Sequence, residues 1–68
     1  MSATVGIGDL IRYRHNKNQV GLVLDIVEER HDPIYVLWCG DSRGGAIKWF
    51  VRRDWIQVKC EGKWRNAL

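Results

Sequence analysis

The sequence is poor in proline and cysteine, with one of the first and two of the second. No apolar run in it approaches the roughly eighteen residues of a membrane-crossing helix. A single proline beside a 46% hydrophobic composition excludes a collagen-like or low-complexity chain. Neither Cys39 nor Cys60 has a second cysteine at two-residue spacing, so neither a zinc ribbon nor a thioredoxin-type pair can be written. The stretch from Met1 to Ile7 lacks the basic start and the apolar run, about 7–15 residues long, of a signal peptide. These shortages point to a cytoplasmic, reduced protein in which both cysteines serve as small buried apolar residues, a disulfide between them being the lesser reading. At 68 residues the chain has room for one small domain and no second core.

Groups able to do chemistry are equally scarce. His15 and His31 stand apart in polar segments and the carboxylates are scattered singly, so no metal, no cofactor and no small-molecule substrate are expected. The stretch from Gly44 to Lys48 lacks the glycine spacing and the following Ser/Thr of a phosphate loop. Asp41 and Ser42 belong to a turn, where backbone geometry alone favours them. A non-enzymatic protein follows.

What is present is alternation. Val20, Leu22, Leu24 and Ile26 share one parity and predict a strand with that face in the core. Ile34 to Cys39 is a short, β-branched and aromatic run bounded by Pro33 and Gly40, which predicts a central strand buried on both faces. Ala46 to Val51 alternates again, with Ile47, Trp49 and Val51 opposed to Lys48. The shorter, more polar Leu10–Arg14 and Ile56–Cys60 predict edge strands. Polar loops at 15–19 and 28–33 and a glycine-rich hairpin loop at 40–45 separate them. Asp54 can cap a single 3₁₀ turn before the last strand, with Trp55 plugging one end of the structure. Five strands with no helix to cover a sheet face are best closed into a small barrel.

Gly8-Asp9-Leu10-Ile11-Arg12-Tyr13, Val20-Gly21-Leu22-Val23 through Ile26, Tyr35-Val36-Leu37-Trp38, Trp49-Phe50 and Ile56-Gln57-Val58 together resemble the SH3-like barrels of the KOW and Tudor-like kind, over residues 8–59. The resemblance implies an all-β, SH3-like five-stranded small barrel, with a short 3₁₀ turn before the last strand and a short C-terminal tail. Residues 1–7 are then a lead-in, 8–60 the barrel and 61–68 the tail. The whole chain is also similar to short single-domain proteins of tailed bacteriophages, which implies the host cytoplasm. The loop 40–45 and the tail match no family pattern.

Charge is uneven. Residues 1–34 carry four Lys/Arg against five Asp/Glu, and residues 35–68 carry seven against three. Four tryptophans are many for so short a chain. Two readings follow. One is a protein-interaction or structural module acting through Trp64, Trp49, Trp38, Tyr13, Arg52, Arg53 and Arg65, with another protein or a symmetric copy as partner. Trp64, in the polar tail, is its best exposed anchor, while at least one of Trp38 and Trp49 belongs in the core. The alternative is a nucleic-acid-binding barrel, in which Arg12, Arg14, Lys17, Lys48, Lys59 and Lys63 join the other arginines in one basic stripe.

Overall fold

The computed structural model describes residues 2–39 and 47–67; the expected loop at 40–45 lies outside them. The chain is all-β. Its strands are β1 (Ser2–Ala3), β2 (Leu10–Tyr13), β3 (Val20–Ile26), β4 (Ile34–Trp38), β5 (Ile47–Val51), β6 (Ile56–Cys60) and β7 (Lys63–Ala67), with a 3₁₀ turn at Arg53–Trp55 before β6. They form one sheet in the order β1-β7-β6-β2-β3-β4-β5. Six strands pair antiparallel, and β1 adds to β7 in parallel.

The sheet is open among the described residues, not closed as a five-stranded barrel. The reason lies beyond Cys60, where a tail was expected. Glu61 (φ 52°) and Gly62 (φ 80°) both take positive φ, as a two-residue type I′ turn requires. They fold Lys63 back against Cys60, so Lys63–Ala67 becomes a full strand on β6. The sheet therefore continues past β6 to β7 and β1. Only Gly62 suits its position; a glutamate at positive φ is strained. Glu61→Asn is accordingly expected to stabilise the fold by about 0.5–1 kcal/mol, read as a higher thermal midpoint. A lower midpoint contradicts the turn.

The extra strands also change which elements are edges. Leu10–Tyr13 and Ile56–Cys60, expected at the edges, are interior: β2 lies between β6 and β3, and β6 between β2 and β7. The edge at the other end is β5, whose neighbour is β4 alone.

One face of the sheet carries the core: Val5, Ile11, Val23, Ile34, Val36, Trp38, Val51, Ile56 and Val58. Val5 joins it because the segment before β2 folds over this face. A turn holds that segment, with the Gly6 N–H donating to Asp9 Oδ2 (2.7 Å) and the Asp9 N–H to the Gly6 carbonyl (3.1 Å). The expected core parity of β3 is reversed at its start. Gly21 and Val23 face inward, while Leu22 faces out and is 40% exposed. Gly21 dictates this choice, because its missing side chain leaves the space that Val36 and Trp38 fill. A register shift between Val23 and Asp25 then inserts one residue and returns Ile26 to the inner face opposite Ile34. In β4, Ile34, Val36 and Trp38 are buried and Tyr35 and Leu37 half-buried. The strand therefore alternates where burial on both faces was expected. Cys39 is exposed and Cys60 half-buried, both as free thiols, so neither fills a core position.

Candidate functional site

The edge strand β5 carries two of the exposed large apolar side chains, Ile47 and Trp49. Ile47, Trp49 and Val51 share the core-facing parity, but only Val51 is covered, opposite Ile34. Ile47 is 58% and Trp49 60% exposed, because no described strand lies beyond β5. On the other face Phe50 stands opposite Tyr35, their rings 4.6 Å apart and tilted by 38°. The Arg30 guanidinium lies 3.7 Å from the centre of the Phe50 ring and is paired with Asp32 at 3.1 Å. Together Arg30, Asp32, Tyr35, Lys48, Trp49 and Phe50 line a groove of about 290 Å³ along this edge. Arg30 and Asp32 offset each other, so Lys48 sets the net charge of the groove. Among the described residues it makes no ion pair.

The remaining candidates are dispersed. Trp38 is only 3% exposed and stacks on Tyr13 with ring centres 4.4 Å apart and planes 8° from parallel, so both rings build the core. Burial raises the Tyr13 phenol above its ordinary pKa of 10.0. Trp64 sits in β7 and is partly covered, with the Arg12 guanidinium 4.5 Å and the Lys59 ammonium 5.1 Å from its ring centre. Arg12 also donates to Gln57 Oε1 (2.9 Å), and Gln57 donates to Asn66 Oδ1 (3.2 Å). Trp64, expected to be the most exposed of the tryptophans, is therefore less exposed than Trp49. Trp55 is 41% exposed and plugs nothing; the Arg52 guanidinium lies 5.6 Å from its ring.

Nor do the basic residues form one stripe. Arg12 and Lys59 lie on the outer face beside Trp64. Strand alternation sets Lys63 and Arg65 on the opposite face, across from Cys60 and Val58. Arg14 donates to the Asp54 carbonyl (3.0 Å), and Lys17 is exposed in the β2–β3 loop. Arg52 holds Asp54 through two contacts, at 2.9 and 3.0 Å, so Asp54 pairs with a side chain and does not cap the turn. Arg53 pairs with Glu28. These pairs and His31 line a second groove of about 350 Å³ at the end of the sheet. Arg30 lines it too, and each of its arginines already has a carboxylate partner, Arg30 through Asp32 outside the groove.

Comparison with protein-family models, curated proteins and solved structures returns no match to this chain. The function therefore has to be read from the geometry. Among the described residues no three His, Cys, Asp or Glu side chains gather as a metal site, and no helix is long and apolar enough to cross a membrane. The sequence reading missed Arg30, Asp32, Tyr35 and Phe50. Tyr35 lay in a run expected to be buried on both faces, and Phe50 on the face of its strand opposed to Ile47, Trp49 and Val51; the alternating burial that separates Tyr35 and Leu37 from Ile34, Val36 and Trp38 appears only in the structure.

Proposed function

We propose that this chain is a non-enzymatic protein-interaction module, working in a reducing cytoplasm, that binds an extended segment of another protein along β5. The observation that carries this reading is the β5 edge, unpaired among the described residues, with Ile47 and Trp49 more than half exposed beside an aromatic groove. An open edge offers a row of backbone donors and acceptors, and proteins with no use for such an edge shield it. Tryptophan is among the residue types that dominate interface energies. The central order β6-β2-β3-β4-β5, with a 3₁₀ turn leading into β6, supports an SH3-like core to which β7 and β1 add.

Selection from a displayed library of short peptides tests the proposal. Binders are expected to shift the β5 amide resonances and to lose about 30-fold or more in affinity against Trp49→Ala. Failure to enrich any peptide, or binders indifferent to Trp49→Ala, overturns it.

Nucleic-acid binding is a second reading with its own observation. Arg12 and Lys59 converge on Trp64 on the outer face, and among the described residues neither has a carboxylate partner. Such a cluster suits phosphate contacts. Affinity for single-stranded DNA or RNA should then fall steeply with salt, and less steeply in Arg12→Ala; no binding at low salt ends this reading.

A further inference from the structure

We infer that the segment recognised by β5 carries an acidic residue between two apolar ones, and that Lys48 selects it. This inference rests on the strand-addition reading and names the chemistry of the added strand. In β5 the side chains alternate: Ile47 and Trp49 point to the core-facing side, Lys48 to the other. A strand laid against β5 places one residue opposite each of these three. Ile47 and Trp49 are 58% and 60% exposed, so the residues facing them extend the apolar face of the sheet. The residue between them faces Lys48, the cation of the groove that makes no ion pair among the described residues. Opposite charges across a ladder attract and like charges repel. The matching pattern is therefore apolar–acidic–apolar.

A second copy of the chain does not supply that pattern. Antiparallel pairing of two β5 strands about Trp49 would set each Lys48 against a Phe50 and offer neither lysine a carboxylate. It would also join two chains that each carry a net charge of +3. The complementary partner is a different protein with an acidic, apolar-alternating stretch.

The test uses three synthetic peptides, acetylated and amidated, that alternate valine with a central glutamate, glutamine or lysine. Binding is followed by β5 amide shifts and tryptophan fluorescence. The glutamate peptide should bind about tenfold more tightly than the lysine peptide, with glutamine between them. Lys48→Glu, at an exposed position, should reverse the order while leaving the thermal midpoint unchanged. The preference should shrink in about 1 M salt. Equal binding of all three peptides, or an unchanged order in Lys48→Glu, overturns the acidic selection but leaves strand addition standing. Absence of any β5 shift with every peptide overturns strand addition itself.

Discussion

Gly21→Ala is expected to destabilise the protein by about 3 kcal/mol, seen as a thermal midpoint about 10–20 °C lower. A Cβ at this position would stand 2.5 Å from Val36 Cγ1, 2.8 Å from Trp38 Cε3 and 3.1 Å from the Leu37 carbonyl oxygen. Two of the three obstacles are rigid: the indole is buried and stacked, and the carbonyl belongs to β4. Gly21 pairs with Ile11 on one side and Trp38 on the other, so β3 cannot withdraw without opening both ladders. In a chain this small the loss is a large share of the total stability, on the order of 5 kcal/mol. Val36→Ala in the same background removes the nearest contact and should recover part of the loss, so the two changes together cost less than their sum. A Gly21→Ala protein as stable as the parent would disprove the close packing of β3 on β4.

Trp38→Ala should cost still more, about 3–5 kcal/mol, enough to leave much of the protein unfolded. The ring covers Gly21, stacks on Tyr13 and sits in the core at 3% exposure; its removal leaves a cavity bounded by strands that cannot close in. Trp38→Phe should be much milder, at about 1 kcal/mol. It keeps an aromatic surface against Tyr13 and deletes an indole N–H that is buried without an acceptor among the described residues. Denaturant unfolding of both variants, with Trp49→Ala as control, checks the order. Trp49 is 60% exposed, and its loss should leave stability within about 0.5 kcal/mol. If Trp49→Ala unfolds the protein and Trp38→Ala does not, the assignment of inside and outside is wrong.

Strand positions were legible in the sequence because alternation and turn residues are local signals, and β2 to β6 fall where they are expected. Face assignment in β3 was not. Four apolar residues on one parity outweighed Gly21 and Val23, yet the space a glycine leaves is visible only once β4 lies against it. The last strand was hidden for a related reason. Lys63, Arg65 and Asn66 read as a polar tail, while the turn that makes them a strand depends on two residues with positive φ. Among site residues, Trp49 was legible as an aromatic on a strand. Its exposure was not, since that follows from β5 being an edge, a property of topology that no stretch of sequence carries alone. Lys48 was read as one of many cations; only its position between Ile47 and Trp49 on an open edge sets it apart.

The ladder between β2 and β6 has a consequence for how the chain reaches this structure. It joins residues about as far apart as Arg12 and Gln57, which are separated by 45 positions, whereas β2 to β5 can pair each with its predecessor. Closing the long loop costs chain entropy before any contact repays it. The meander of β2 to β5 can therefore assemble early, with Ile11 covered on one side only. Docking of β6, which sets Val58 opposite Ile11 and Ile56 opposite Tyr13, is the pairing that must close the long loop and is expected to come after the meander.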